Sequence, residues 1–447
     1  MRINVAGAGA GKTTKMADYI TEFEIPTGKI VFCISFTNAA AENIEEKVKQ
    51  KLDNMPSNIR ISTIHSFLYQ ELICPYYYFL YGKQFAKLST INLPANAQFK
   101  RAKLSELEKN DILHYTSIPE KAKWIAYQKT GDTRAVKESR NRLLEQFQNY
   151  CAAIFIDEAQ DISKDVFHII EALDKRGVPI ILYGDPKQDI KGYGYFRSLI
   201  EKTSDVTYIS ECHRCPQKHL DLSNILAPTE ERQIADQTKA EGHVDTVYES
   251  DIANVKQFIC DGDCGLRFIS KKQDRFATHE GQENNMRLDT VYHEIQGAIK
   301  LKWLGKRSNL EIDRFAYYIS EKLIEAYDEQ ENPSRLISSY VMKGFFDSLP
   351  RQQYAQLMDA LKKSKESSPD AVVIKSIEAV KGLEAEKCLF ILTSDLAPYL
   401  FGQRVEDNKT SHLLYVALTR SLNSLSILVT KKVEKKYNRE VIKKCLE

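Results

Sequence analysis

The sequence predicts an α/β protein with two parallel sheets, each interrupted by a helical insertion. Three observations predict this class: short apolar segments alternate with helical ones in two separate series, these segments end in polar residues, and two long stretches carry no strand pattern. Alternation of strands and helices is typical of parallel sheets, whose ligands bind beyond the carboxyl ends of the strands. We therefore expect functional residues where the strands end.

The first series of strands defines a first expected domain, residues 1–74 and 148–210. Residues 75–147 are rich in lysine and glutamate and carry no strand pattern, which indicates a helical insertion. The predicted strands of this domain are Arg2–Ala6, Ile30–Ser35, Ile59–Ile64, Ala152–Ile156, Ile180–Tyr183 and Val206–Ile209.

The second series defines a second expected domain, residues 211–275 and 369–447, interrupted by a reduced helical insertion at 276–368. Here aromatic and aliphatic residues lie in polar surroundings at helical spacing. The predicted strands are Val244–Tyr248, Leu266–Ser270, Val372–Ile377, Lys387–Leu392 and Leu425–Val429.

Composition excludes several classes of protein. The 447 residues are 43% apolar and 28% charged, which excludes a disordered or collagen-like chain. No apolar run is long enough to cross a membrane and no leader pattern precedes the first strand, so we expect a cytoplasmic protein without a membrane partner. The net charge of +2 restricts any nucleic-acid surface to a local groove.

The nine cysteines are scattered and odd in number, so a disulfide framework is not expected. The spacings of Cys212 with Cys215 and of Cys260 with Cys264 lack a second pair of zinc ligands. Reduced thiols are therefore favoured over a metal site.

The segment Ala6–Thr13 (AGAGAGKT) follows the first predicted strand and opens a helix. Small residues let backbone N–H groups approach phosphates, and the helix N-terminus favours their negative charge. In this phosphate loop, Lys12 would reach the β and γ phosphates of ATP, and the Thr13 hydroxyl would bind Mg²⁺. The expected ATP contacts are Gly7, Gly9, Ala10, Gly11, Lys12, Thr13 and Thr14.

Two acidic residues, Asp157 and Glu158, end the apolar strand at residues 152–156. A carboxylate in this position can hold Mg²⁺, and an adjacent one can orient or deprotonate the attacking water. We assign the first role to Asp157, as a Mg²⁺ site shared with Thr13, and the second to Glu158. Alone, two acids at the end of a strand could also form a helix N-cap, and the phosphate loop favours the catalytic interpretation.

Residues 157–161 (DEAQD) and the phosphate loop together resemble the ATPase core of superfamily 1 DNA helicases of the UvrD, Rep and PcrA type. The resemblance implies two RecA-like domains in tandem and an ATP-hydrolysing DNA helicase. Five further segments match the motifs of this family in order: 36–42 (FTNAAAE), 62–67 (STIHSF), 184–188 (GDPKQ), 376–384 (SIEAVKGLE) and 415–420 (YVALTR).

The resemblance also implies the remaining roles at the ATP site. Gln188 would sense the γ-phosphate, while Arg214 and Arg420 would reach it when the two domains close. Cationic fingers of this kind contribute roughly 10³- to 10⁵-fold in rate, so closure and hydrolysis would be coupled. His213 replaces the tyrosine that stacks on the base in the family, and Glu384 of the fifth motif would contact the nucleotide.

The expected DNA contacts come from the same motifs. Single-strand binding needs a groove that follows the phosphates and aromatic faces on which bases stack, each stack worth about 1 to 3 kcal/mol. An aromatic side chain in an α/β protein is more often part of the core, and this alternative stays open. The residues implied by the resemblance are Phe36, Thr37, Asn38, His65 and Tyr193.

Several positions depart from the family pattern. Five residues precede Ala6, so the upstream glutamine that reads adenine in the family is not expected here. Lys191 stands where the third motif usually has tyrosine, and Glu378 where the fifth usually has histidine, which weakens the assignment of DNA contacts near both. The two insertions look trimmed relative to typical family members.

The leading hypothesis is an ATP-dependent motor that moves on single-stranded DNA or a tailed duplex, 3′ to 5′ as the resemblance implies. The alternative is an ATP-gated DNA-sensing subunit of a nuclease complex, as in Gabija-like antiphage systems, with little unwinding of its own and a protein partner such as a nuclease. A small-molecule kinase is disfavoured because it leaves the two arginine motifs and the second α/β domain unexplained.

Overall fold

The computed structural model describes residues 1–446 apart from 53, 95–96, 272, 274, 279–287, 289–290, 300–306, 330–331, 343–350 and 365–371. The chain divides into two compact units. The first contains Met1–Asn92, Ala102–Ser270 and Ile377–Glu447, and the second contains Leu93–Arg101 and Lys271–Ser376. The predicted boundary between residues 368 and 369 lies outside the described residues.

The first sheet belongs to the first unit, and all its paired strands are parallel. Its strands are β1 (Arg2–Ala6), β2 (Ile30–Ser35), β3 (Ile59–Thr63), β6 (Cys151–Ile156), β7 (Ile180–Gly184) and β8 (Val206–Ile209). Their spatial order is β3-β2-β6-β7-β1-β8. Two short strands, β4 (Lys87–Ser89) and β5 (Ile112–His114), pair with each other.

The sequence of the central strands explains this placement. All six residues of β6 are buried, as expected for a strand covered on both faces. In β2, Phe32 and Ile34 enter one apolar cluster while Val31 and Cys33 enter the cluster on the other face. Period-two alternation of this kind holds the sheet between two layers of helices.

Helices flank the first sheet and form the segment between β3 and β6. Threonine side chains cap α2 and α7: Thr37 accepts from the Ala40 N–H and Thr133 from the Val136 N–H. Their bounds are α1 (Lys12–Glu22), α2 (Asn38–Lys49), α3 (Ile64–Phe67), a π-helix (Leu68–Ile73), α4 (Cys74–Tyr81), α5 (Ala97–Lys109), α6 (Ile118–Ala126), α7 (Arg134–Tyr150), α8 (Lys164–Asp174) and α9 (Tyr195–Lys202).

The second sheet follows in the same unit. Four of its parallel strands lie side by side in the order β11-β17-β16-β12. The strands of this region are β9 (Glu211–Cys212) paired with β10 (Ile234–Ala235), and β11 (His243–Tyr248), β12 (Leu266–Ile269), β16 (Ala385–Leu392) and β17 (Ser421–Val429). Its helices are α10 (Gln217–Asn224), α11 (Val255–Asp261), α16 (Ala397–Leu400), α17 (Lys409–Leu418), α18 (Lys431–Lys436) and α19 (Arg439–Leu446).

The second unit has its own apolar core, built from helices. Val291, Leu323, Leu336 and Leu361 are among its buried side chains. Its elements are β13 (Phe276–Ala277), a helical segment at 291–299 (α12), α13 (Asn309–Glu329), α14 (Pro333–Leu336), a π-helix (Ile337–Met342), α15 (Arg351–Ser364), β14 (Val372–Val373) and β15 (Lys375–Ser376).

The predicted α/β class with two parallel sheets is confirmed. Two details differ from the sequence prediction. Residues 75–147 contain the strands β4 and β5, which span three residues each and are too short for an alternating pattern to be recognised. The strand expected at Val372–Ile377 is two short strands, β14 and β15. None of the helices in the described part of the chain has the length and apolar character of a membrane span.

Candidate functional site

The phosphate loop Ala6–Thr13 connects β1 to α1. Gly9 and Gly11 have φ of 71° and 70°, in the left-handed region that favours glycine. A Cβ atom at Gly9 would also overlap the side chain of Arg214. Lys12 Nζ donates to the carbonyl of Ala6 at 3.4 Å, so the lysine folds back over its own loop.

The acid pair lies directly beside this loop, at the carboxyl end of β6. Thr13 Oγ1 donates to Asp157 Oδ2 at 2.8 Å. Burial, and then the charge of Glu158, raises the pKa of Asp157 to about 6. Burial alone would raise the pKa of Glu158, but Lys12 and Lys381 outweigh it and hold that pKa below its usual value. The predicted Mg²⁺ ligands and the predicted water-orienting carboxylate therefore stand next to each other.

Backbone geometry aims the second acid. Glu158 has φ of 54°, an uncommon left-handed conformation for a residue with a side chain. Its N–H donates to Asp157 Oδ1 at 2.8 Å, and its carboxylate accepts from Gln160 Nε2. The side-chain oxygen Oε1 of Gln160 accepts from the Asp185 N–H at 3.0 Å. Gln160 thereby connects the acid pair to the residue that follows β7.

The segment Gly184–Gln188 brings the predicted γ-phosphate sensor to the same edge of the sheet. Gln188 Nε2 donates to Asp185 Oδ2 at 2.9 Å. Lys187, 2% exposed, pairs with Asp185 at 3.0 Å and with Glu231 at 3.1 Å. The two carboxylates compensate the charge of this buried lysine.

The two predicted arginine fingers come from outside the first sheet. Arg214 Nε pairs with Glu384 Oε2 at 2.5 Å. Arg420 is fully buried and donates to the carbonyls of Val416 at 3.0 Å and Leu383 at 3.3 Å. Burial, and then the nearby charge of Arg214, lowers the pKa of Arg420 to about 10. Two guanidinium groups held this close favour an anion in their neighbourhood.

A cleft of about 1240 Å³ connects these groups. It is large enough for a nucleotide, since ligand sites typically measure about 300 to 1,000 Å³. Among the predicted site residues, Gly7, Asn38, His65 and Tyr193 do not line it. Those that do are Gly9, Ala10, Gly11, Lys12, Thr13, Thr14, Phe36, Thr37, Asp157, Glu158, Gln188, His213, Arg214, Glu384 and Arg420.

His213 stands at the loop end of the cleft. Its N–H donates to the Gly9 carbonyl at 2.9 Å, and its Nδ1 donates to Asp236 Oδ2 at 2.7 Å. The carboxylate of Asp236 thereby fixes the orientation of the imidazole ring. This ring can present a face to a base beside the loop.

Two of the predicted DNA contacts, Phe36 and Thr37, line the cleft, whereas Asn38, His65 and Tyr193 lie outside it. Phe36 is partly buried against the core, so both expected roles remain open for it. Tyr193 is 42% exposed, and Lys191 Nζ lies 5.8 Å from the centroid of its ring. Thr37 and Asn38 are exposed at the start of α2. His65 lies on α3, and burial, then the charge of Lys191, lowers its pKa.

The structure adds residues that the sequence analysis missed. Tyr115, 43% exposed, packs edge-on against His65 with ring centroids 6.1 Å apart. Lys381 Nζ donates to both carboxylate oxygens of Asp161, at 2.9 and 3.0 Å. Gln233 contacts the phosphate loop from behind. Nothing in the local sequence marks Tyr115 or Gln233, because their partners are far along the chain, whereas Lys381 lies in the fifth motif.

Residues 1–193 match a family model described as an AAA domain. The chain is 25% identical over 279 residues to the Probable DNA helicase II homolog of Mycoplasma capricolum subsp. capricolum, a match that covers 49% of this chain and 38% of that relative. The chain therefore spans well under half the length of the curated relative it matches.

Solved structures similar to this chain include the arterivirus nonstructural protein 10 helicase, at 11% identity and a TM-score of 0.38, covering 96% of this chain and 59% of that one. The complex of the same arterivirus helicase with DNA gives 12% identity and a TM-score of 0.36, with 95% and 60% coverage. The family model and the curated relative confirm the resemblance to UvrD-like superfamily 1 helicases. The roles of the individual site residues stay predictions.

We expect Lys12→Ala to abolish ATP turnover together with tight ATP binding, whereas Glu158→Gln should keep ATP binding and lower kcat by about 10²- to 10⁴-fold, the usual contribution of a general base. Steady-state turnover and equilibrium binding of a fluorescent ATP analogue measure the two effects. Glu22→Gln, an exposed change at the far end of α1, is the control. Turnover at the wild-type rate in Glu158→Gln would contradict the assignment.

We also expect weak discrimination between nucleotide bases. The His213 ring lies beside the phosphate loop. Stacking of a base on such a ring does not depend on which base is bound. The values of kcat/KM for ATP and GTP should therefore lie within about a hundredfold of each other, a difference of roughly 2.7 kcal/mol. A larger preference measured under matched Mg²⁺ would reveal a hydrogen-bonding base reader.

Proposed function

We propose that this chain is an ATP-dependent DNA helicase or translocase that moves on single-stranded DNA, 3′ to 5′, and couples ATP hydrolysis to relative motion of its two sheets. The observation that carries the proposal is the cleft itself. It joins the phosphate loop, the acid pair and Gln188 of the first sheet to Arg214 and to Arg420 of the second sheet. ATP is the substrate that such a constellation fits.

The residues present also fit a divalent cation of the Mg²⁺ kind. The Thr13 hydroxyl and the Asp157 carboxylate offer hard oxygen ligands 2.8 Å apart. Burial, and then the charge of Glu158, raises the pKa of Asp157, and a cation beside it would favour its ionised form. Bound there, the cation would neutralise charge on the β and γ phosphates. Glu158, held by Gln160, would orient the attacking water and accept its proton.

Coupling to motion follows from where the cations reside. Arg420 lies between α17 and β17 of the second sheet, whereas the phosphate loop follows β1 of the first sheet. Hydrolysis assisted by Arg420 and Arg214 would proceed only when both parts of the cleft are in place. Each ATP cycle would then alternate between two arrangements, which is what movement along a strand requires.

Single-stranded DNA fits the surface formed by His65, Tyr115, Lys191 and Tyr193. It offers the exposed rings of Tyr115 and Tyr193 and a lysine, since Lys191 Nζ lies 5.8 Å from the centroid of the Tyr193 ring. Burial, and then the charge of Lys191, lowers the pKa of His65. Rings for stacking and a cation for phosphate are the elements of sequence-independent strand binding. With Phe36, Thr37 and Asn38, these residues would form the DNA contacts.

We also infer that residues 1–74 with 148–210, and residues 211–275 with 369–447, form the two motor domains expected from the sequence. The helical segments 75–147 and 276–368 would be accessory elements. The alternative function is that of a DNA-sensing subunit of a nuclease complex in antiphage defence. Trimmed insertions favour it, since they leave little surface for holding a fork open. A protein partner would then supply the cleavage.

The decisive experiment measures ATP hydrolysis with single-stranded DNA, blunt duplex and no nucleic acid. Single strands should stimulate turnover, and their affinity should fall roughly tenfold or more between about 50 and 200 mM salt because phosphate contacts dominate binding. Equal stimulation by blunt duplex, or none by any nucleic acid, would overturn the proposal. Strand displacement on 3′-tailed but not 5′-tailed duplex supports the helicase, and stimulation without displacement supports the regulatory alternative.

Tyr115→Ala should weaken binding of a single strand roughly 5- to 150-fold, the range that one base stack of about 1 to 3 kcal/mol predicts. Fluorescence anisotropy with a labelled oligothymidine measures this change in Kd. Tyr208→Ala is the matched control, because Tyr208 is 40% exposed on the edge strand β8, away from His65. Equal affinities of the two variants would remove Tyr115 from the DNA surface.

A further inference from the structure

A closed ring of three hydrogen bonds holds the phosphate loop from behind. The Ala8 N–H donates to the Tyr415 hydroxyl oxygen at 3.1 Å. That hydroxyl donates to Gln233 Oε1 at 2.9 Å, and Gln233 Nε2 donates to the Ala8 carbonyl at 3.0 Å. Ala8, Gln233 and Tyr415 are at most 2% exposed, so water does not substitute for any of the three bonds.

The direction of each bond is fixed by chemistry. A backbone N–H can only donate, so the Tyr415 oxygen accepts from Ala8 and its single proton is free for Gln233. The amide of Gln233 then uses its oxygen toward Tyr415 and its nitrogen toward Ala8. The thiol of Cys212 gives the Ala8 carbonyl a second contact at 3.1 Å. Removing the hydroxyl would leave a buried N–H and a buried amide oxygen without this partner.

Glycine at position 7 makes the ring possible. A Cβ atom there would overlap the Gln233 side chain, so only glycine admits the amide this close to the loop. The contact thus explains a glycine of the phosphate loop whose φ is not in the left-handed region. Gln233 itself comes from the segment just before β10, outside the first sheet.

Tyr415 also contacts the third motif. Its ring lies 5.2 Å from Lys187 Nζ, and Lys187 pairs with Asp185. Asp185 is also the acceptor of the Gln188 amide. Tyr415 lies in α17, which ends at Leu418 and is followed by Thr419 and Arg420. The Thr419 hydroxyl donates to the backbone carbonyl of Tyr415 at 2.9 Å. The Tyr415 side chain therefore contacts both the phosphate loop and the third motif, and its own helix leads to Arg420.

We propose that Tyr415 is a positioning residue: its hydroxyl, with the Gln233 amide, ties the phosphate loop to helix α17 and so couples nucleic-acid binding to ATP turnover. The inference rests on the proposed function and extends it to a residue outside the reacting groups. Tyr415 does not line the cleft, and the Ala8 N–H points to it rather than to the nucleotide space. Tyr415 would therefore act by fixing the backbone conformation of the phosphate loop.

The test uses Tyr415→Phe, which removes the hydroxyl and keeps the ring beside Lys187. The stimulation factor, defined as kcat with saturating oligothymidine divided by kcat without it, should fall roughly fivefold or more, as expected for one lost buried hydrogen bond. Gln233→Met should produce a similar loss. Because both variants break the same ring, the double variant should lose no more than the worse single variant.

Tyr437→Phe is the matched control. Tyr437 is 7% exposed and its hydroxyl donates to Gln403 Oε1 at 3.0 Å, so the change removes a similar tyrosine–glutamine bond from the same unit, away from the loop. Its stimulation factor should match the wild type. A general loss of stability would lower the melting temperature of both variants and would not single out the stimulation factor of Tyr415→Phe.

A second measurement separates this proposal from the proposed function. Amide hydrogen exchange of the phosphate loop, measured on the full chain without nucleotide or DNA, should be roughly tenfold faster in Tyr415→Phe than in Tyr437→Phe, because the Ala8 N–H loses its acceptor. The proposed role of Tyr415 would be overturned by any of three results: unchanged amide exchange of the loop, an unchanged stimulation factor, or a double variant that loses more stimulation than either single variant. A wild-type protein that no single strand stimulates would instead overturn the proposed function, and the coupling role with it.

Discussion

Buried charge at the carboxyl end of β6 sets the conditions for the whole cleft. Asp157 is 1% exposed, and its neighbour Glu158 is also acidic. A buried carboxylate beside a second, half-buried one is costly unless cations and hydrogen-bond donors compensate the two charges. The compensation comes from several elements: Thr13 and Lys12 of the loop, Gln160 after the strand, and Lys381 from the second sheet region. The acid pair therefore requires the other parts of the site to be assembled around it.

The cations have the complementary requirement. Burial, and then the charge of Arg214, lowers the pKa of Arg420. An anion or carbonyl acceptors near the guanidinium group compensate this destabilisation of its charged form. In this structure Arg420 donates to backbone carbonyls and Arg214 pairs with Glu384. Phosphate groups would supply the missing negative charge between the arginines, and a divalent cation would supply the missing positive charge beside Asp157. Acidic and basic halves of one cleft thus match the charge pattern of a nucleoside triphosphate with its metal.

Much of this arrangement follows from local sequence. The strands of the first sheet were predictable because buried parallel strands are short apolar runs, and the loop and acid pair were predictable because they directly follow β1 and β6. What could not be predicted is pairing across the chain. Ala8 and Tyr415 are 407 positions apart, and Gln233 lies 182 positions from Tyr415. Tyr115, which directly follows β5, contacts His65 of α3, from which it is distant in the sequence. No pattern within a window of residues records such contacts.

Helix α17 explains how the two sheets of the first unit act on one cleft. Every residue from Ser411 to Leu418 is buried, and a capping box at Asn408 and Ser411 fixes its first turn. His412 Nδ1 donates to the Asp189 carbonyl at 2.9 Å, just beyond the third motif. The helix therefore contacts the first sheet region near its start through His412 and near its end through Tyr415. The third motif and the phosphate loop are therefore in contact with one and the same capped helix. Arg420 follows this helix after one residue, Thr419, so the same helix joins the third motif, the phosphate loop and the buried guanidinium group that lines the cleft.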